Sequence, residues 1–199
     1  MFKKSIITLL LLIVFGFNAY AQDKCNTYSE PSIGVTFCAP QKWTIRKRED
    51  NPYAKIFGET SNGLTPNINL QTGSFTDSLS KVTDSGVENV LKTKGTDGIS
   101  KVELKSKSEF AADTQGFKVV YHIEVDGLNL RTIQYFFKGL GDTKIVVTAT
   151  LPMSDADALE GIVDASLKTF KVTSKPVKIG TNKVSSVSKT FFLKQQVYS

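Results

Sequence analysis

Residues 99–151 constrain the fold more than any other part of this 199-residue chain, because four β-patterned runs follow one another there with only short turn signals between them. The runs are 101–111, 117–125, 130–138 and 144–151. In the second, Phe117, Val119, Tyr121, Ile123 and Val125 recur at the two-residue period that places them on one face. In the third, Ile133, Tyr135 and Phe137 share one face, and Leu130 and Phe136 the other. Asp126-Gly127 is a strong two-residue hairpin signal. Connections this short join antiparallel neighbours, since a parallel crossover needs a dozen residues or more. Strands apolar on both faces must be covered on both sides.

Two helices are available as cover. Leu79, Val82, Val87, Val90 and Leu91 recur at helical spacing, predicting a helix over 78–93, weakened by Gly86 and stopped at Gly95. A second helix is predicted over 154–170, with Ser154 and Asp157 as a capping pair and a stripe of Leu159, Ile162, Val163, Leu167 and Phe170 docking on the sheet. Asp155 and Asp157 in its first turn and Lys168 and Lys171 at its end complement the helix dipole. Shorter strands are predicted at 44–47, 53–58 and 67–73, with Asn62-Gly63 and Pro66 as turn chemistry between the last two.

The first 21 residues carry a leader pattern: Lys3 and Lys4, an apolar run from Ile6 to Phe17, and small residues in Ala19-Tyr20-Ala21. The run is too short to span a bilayer, so the expected mature protein begins at Gln22 and is periplasmic or extracellular. Its two cysteines, Cys25 and Cys38, then sit in an oxidising compartment. Residues 25–38 read as a hairpin about Glu30-Pro31-Ser32. A turn symmetric about Pro31-Ser32 sets Cys25 directly opposite Cys38, although proline excludes a primed two-residue turn and the register is free to shift. A disulfide is expected. The alternative, a redox or metal-binding thiol pair, lacks a CxxC motif or a neighbouring histidine.

The expected organisation is a signal peptide at 1–21, one domain at 22–172 and a basic tail at 173–199. Residues 171–199 hold six lysines and no acid. Removing Lys3 and Lys4 with the leader lowers the formal charge from +6 to +4, and no arginine cluster is interleaved with aromatics, so nucleic acid is not an expected partner.

His122, the only histidine, lies mid-strand with no GxSxG elbow in the chain, so no catalytic residue is assigned. One histidine and a paired cysteine set leave too few ligands for zinc. Asp155, Asp157, Glu160 and Asp164 supply oxygens, but at helical spacing and without a DxDxDG loop, which reads as capping and a solvated face rather than calcium binding. Gly139-Leu140-Gly141 sits in a strand-to-strand turn and makes no phosphate loop. No cofactor is expected.

Several stretches resemble the PsbP-like family. Tyr28-Ser29-Glu30-Pro31 with Gly34-Val35-Thr36-Phe37 looks like its opening, and Ala39-Pro40-Gln41-Lys42-Trp43 like its Pro…Trp turn, with Gln41-Lys42 where glycine is commoner. Asn67-Ile68-Asn69-Leu70 looks like the strand before its first helix, and Leu167-Lys168-Thr169-Phe170 like the end of its last. The resemblance covers about 28–172. It implies an α+β fold, an α/β/α sandwich around a central antiparallel meander, with Gly34, Pro40, Trp43 and Phe170 as structural positions. PsbP proper is an extrinsic lumenal subunit of photosystem II, and a distant relative of the fold is a Ran-binding nuclear transport factor. The shared theme is protein binding without catalysis.

The expectation is therefore an exported non-enzymatic binding or assembly module whose partner is an envelope or periplasmic protein, with the basic tail offering peripheral membrane contact. The rivals are a periplasmic enzyme and a small-ligand or lipid carrier with a pocket between helix and sheet.

Overall fold

The computed structural model describes residues 25–49 and 51–173. The leader expected at 1–21 and the tail from 174 onward lie outside the described residues. Strands β1 (Asn26–Glu30) and β2 (Val35–Ala39) form the N-terminal hairpin. Then come β3 (Thr44–Arg46), β4 (Lys55–Phe57), β5 (Asn67–Ser74) and helix α1 (Leu79–Leu91). The meander is β6 (Ile99–Phe110), β7 (Gly116–Val125), β8 (Leu128–Lys138) and β9 (Thr143–Pro152). A 3-10 turn, Met153–Asp155, leads into α2 (Ala156–Leu167) and the short β10 (Lys171–Val172).

Seven strands make one antiparallel sheet in the order β3-β4-β5-β9-β8-β7-β6, so the meander keeps its chain order and β5 joins it along β9. Helix α1 lies over β6, β7 and β8 on one face. On the other face α2 packs beside a three-stranded sheet, β1-β2-β10. The result is the α+β sandwich expected, with a core on each side of the sheet. One contains Ile68, Ile133, Tyr135, Phe137 and Val147 with Val163, Leu167 and Phe170. The other contains Val119, Tyr121, Ile123, Leu130 and Phe136 with Val87.

Local chemistry explains the turns. Asp126 and Gly127 both have positive φ, +48° and +79°, as the predicted two-residue hairpin requires. Ser78 caps α1, its hydroxyl accepting from the Lys81 N–H at 3.4 Å. Gly86 does more than weaken α1: a Cβ there would stand 2.7 Å from Phe136 Cζ, so glycine lets the helix settle onto the sheet.

The hairpin turn corrects one expectation. The loop has four residues, with Ile33 N–H bonded to Glu30 C=O and Gly34 N–H to Pro31 C=O, and Gly34 at φ +68°. The register moves by two residues, so Cys38 faces Thr27 rather than Cys25. The disulfide forms nonetheless, diagonally, from the residue before β1, with Cα atoms 5.2 Å apart.

Two further corrections concern α2, at Ile162 and at the helix cap. Ile162 is 44% exposed and leaves the stripe, while Leu159, half-buried, packs against the core as expected, so the docked stripe is Ala156, Leu159, Val163, Leu167 and, just past the helix, Phe170. The Ser154–Asp157 capping pair does not form. Asp155 occupies the N-cap without a side-chain cap bond, and Ser154 donates to its carboxylate at 3.1 Å. Tertiary ion pairs take Asp157 instead.

Lys42 has φ +63°, the left-handed conformation, at the place where the family resemblance expects glycine. Lys42→Gly should raise stability by about 0.5–1 kcal/mol, the relieved Cβ strain less the entropy of glycine. Urea denaturation checks this through a higher midpoint at unchanged slope.

Candidate functional site

The residues singled out in the sequence assemble into a joint. Thr169 Oγ1 accepts from the Cys38 N–H at 2.8 Å, and Ser166 Oγ donates to the Cys38 carbonyl at 2.6 Å. Phe170 stacks on Phe137 at 4.0 Å and on Phe37 at 6.0 Å between centroids. The Gly34 carbonyl accepts from the Thr173 N–H, Pro40 C=O from the Trp43 N–H, and Trp43 closes over Gly58. These positions hold the hairpin, α2 and the sheet together, so the motifs mark architecture.

Beneath α2 lies a belt of charge. Lys118 Nζ bridges Glu160 Oε1 at 2.7 Å and Asp164 Oδ2 at 2.6 Å, while Tyr135 donates its hydroxyl to Asp164 Oδ1 at 2.6 Å. Arg131 Nη1 reaches Asp157 Oδ1 and Glu160 Oε2, both at 2.7 Å. Helical spacing puts the three acids on one face of α2, where they meet cations of β7 and β8. Glu160 and Asp164 are thus a clamp rather than the solvated face expected, while Asp157 pairs with Arg131 and stays solvated as expected. Burial pushes the Glu160 carboxyl up, but the Lys118 and Arg131 hydrogen bonds and charges outweigh it and hold the group below the usual range. Burial, the Asp164 charge and its hydrogen bond push the Tyr135 hydroxyl up.

His122 sits beside Arg131 of β8 and Glu103 of β6, half-buried. Burial, then the charges of Lys105 and Arg131, lowers its pKa. An NMR titration should find the imidazole midpoint below the ordinary value of about 6.5. His122→Ala should leave binding by this protein within a few-fold of wild type. Among the described residues, no group of three His, Cys, Asp or Glu side chains is placed to hold a metal ion.

A second polar group was not legible in the sequence. On the α1 side, one cross-strand row runs Asn69–Thr148–Gln134 and the next Asn67–Thr150–Thr132–Tyr121. All but the half-buried Gln134 are buried. The same strands present Ile68, Leu70, Ile133, Val147 and Ala149 to the α2 side, so polarity here is a property of one face. Asn69 Oδ1, Tyr121 Oη, Thr132 Oγ1 and Gln134 Oε1 are buried without a hydrogen-bond partner in the structure. Each such atom costs about 1–3 kcal/mol. Burial alone raises the pKa of Tyr121. Lys55, 1% exposed, faces this side one strand further out, since Ile56 next to it packs into the opposite core.

The floor is bordered by Leu79 of α1 and by Leu64, both packed against the core on this side. Leu64 is positioned by a tight turn in which Ser61 and Leu64 exchange backbone hydrogen bonds around Asn62 and Gly63, at φ +50° and +77°. No helix among the described residues is long and apolar enough to cross a membrane.

No protein-family model matches the chain, and no curated protein matches it in sequence. Solved structures do. Cyanobacterial PsbP (CyanoP) from Synechocystis sp. PCC 6803 is similar with a TM-score of 0.57 at 14% identity, over 73% of this chain and 91% of that one. LpqN of Mycobacterium tuberculosis, described as involved in cell envelope biogenesis, gives 0.53 at 12% identity over 77% and 88%. PA94 of Pseudomonas aeruginosa, a protein of unknown function, gives 0.50 at 11% over 68% and 99%. At these identities the likeness is one of fold. The chain has the PsbP-like fold, as the sequence motifs indicated.

Proposed function

We propose that this chain is an exported, non-enzymatic binding or assembly module that acts on a protein of the cell envelope. The observation that carries the reading is the closed belt under α2. There Lys118, Arg131, Glu160 and Asp164 neutralise one another and hold the helix down, so these acids and bases are engaged in structure. The fold shared with CyanoP and LpqN supports an envelope setting, as does the Cys25–Cys38 disulfide. The lysines of residues 171–199 supply attraction to an acidic partner, which salt screens over about 8–10 Å.

The test is capture from envelope extract with the immobilised protein, with and without residues 175–199. A discrete envelope protein should be retained, less so at raised salt and less so by the shortened chain. A turnover activity that falls about a hundredfold in a folded His122→Ala variant would instead establish an enzyme.

A further inference from the structure

We infer that Asn62 is a site of spontaneous modification: it loses its side-chain nitrogen to attack by the Gly63 backbone, and the product unfastens the turn before β5 from the start of α2. The inference is independent of the protein-partner reading, because it rests on the chemistry of one turn and its contact with Ser154.

Asn62 is the only asparagine of the chain followed by glycine. Elsewhere a side chain on the next residue crowds the backbone nitrogen, and Pro52, after Asn51, has no N–H at all. Asn62 and Gly63 are both exposed, and no heavy atom lies within 4 Å of where a Cβ on Gly63 would stand. The two backbone bonds of the turn run between Ser61 and Leu64, so neither of them holds the Gly63 N–H. In a brief opening of the turn, Gly63 N gives its proton to hydroxide and attacks Asn62 Cγ. The new N–Cγ bond closes a cyclic imide, the Cγ–Nδ2 bond breaks, and the nitrogen leaves as ammonia. Water then opens the imide at either carbonyl, leaving aspartate or isoaspartate at position 62.

The tertiary contact gives the change its consequence. Asn62 Nδ2 donates to Ser154 Oγ at 3.3 Å, and Ser154 gives its own hydrogen to Asp155 Oδ2 at 3.1 Å. A hydroxyl has one hydrogen to give. With a carboxylate at position 62, two anions compete for that hydrogen and repel each other across Ser154, so the link between the turn and the start of α2 is lost. The isoaspartyl form also adds a carbon to the backbone of a loop built for two residues. That disturbs the exchange between Ser61 and Leu64 which sets Leu64 against the α1-side core.

Peptide mapping by mass spectrometry, on the full mature protein incubated warm at mildly alkaline pH, tests this. A gain of about 1 Da should appear in the peptide holding residues 62 and 63, as both aspartyl and isoaspartyl forms. Gly63→Ala should slow the change about tenfold or more by crowding the attacking nitrogen. Ser154→Ala, which frees the Asn62 side chain, should speed it roughly 2- to 10-fold, the worth of one hydrogen bond. The aged protein should melt lower than the fresh one, and Asn62→Asp, which has the charge without the added backbone carbon, should be lowered less. The inference is overturned by no gain in this peptide, by a comparable gain at another asparagine, by a Ser154→Ala rate equal to wild type, or by an aged protein that melts as the fresh one does.

Discussion

Phe170→Ala should destabilise the domain by about 3–5 kcal/mol, the largest effect expected of a single truncation here. The ring is wholly buried between Phe137 of the central sheet and Phe37 of the hairpin, so it joins the sheet, the hairpin and the end of α2 in one stack. Its removal leaves a cavity at their junction, where the backbone is pinned by Thr169 to Cys38 and cannot collapse inward. For a domain of this size the melting temperature should fall by roughly 6–20 °C. A loss below about 1 kcal/mol in urea denaturation would show that the aromatic stack is not the joint.

The second large effect is expected at Lys118. Lys118→Met keeps most of the aliphatic stem but leaves Glu160 and Asp164 facing each other with one cation fewer, in a site where all three side chains are mostly covered. The expected cost is about 2–4 kcal/mol, because breaking a buried pair strands charge. Asp157→Ala, which removes a carboxylate that is 95% exposed, should cost little.

The pH dependence separates this account from simple loss of packing. Glu160 is held below its ordinary range on folding. A carboxyl depressed in this way contributes stability that is present above its unfolded pKa, about 4.3, and lost as pH falls through the lower folded value. Wild type should therefore lose stability on acidification below about pH 4.5, and Lys118→Met should show a shallower loss. Equal slopes in the two proteins would mean that the belt is not coupled to folding.

Much of this architecture follows from local pattern. Alternation along 117–125 and 130–138 assigned each side chain to its face, because strand geometry has a fixed period of two. Asp126-Gly127 set its own turn, since both residues tolerate positive φ. Ser78 and the helical spacing after it marked α1 to within a residue or two. Where a local rule met a competing tertiary contact it failed. Asp157 answered to Arg131 rather than to a helix cap, and Ile162 faced solvent because Val163 and Leu167 already filled the seam. The four-residue hairpin loop moved the cysteine register, since Pro31 cannot enter a tighter turn.

The meander, the two covering helices, the cysteine pairing and the motifs of a PsbP-like fold are each written in periodicity, turn chemistry or residue type within a short window. The pairing of β5 with β9, some seventy-five residues away, is visible in the folded molecule alone. That pairing brings Asn67 and Asn69 beside Thr148, Thr150, Thr132 and Gln134, and no local rule reaches so far. Read in its own strand, each of these residues is an ordinary polar position that belongs in water. They become a buried polar floor because strand partners are chosen by the burial of the opposite, apolar face, which carries the polar side chains along with it.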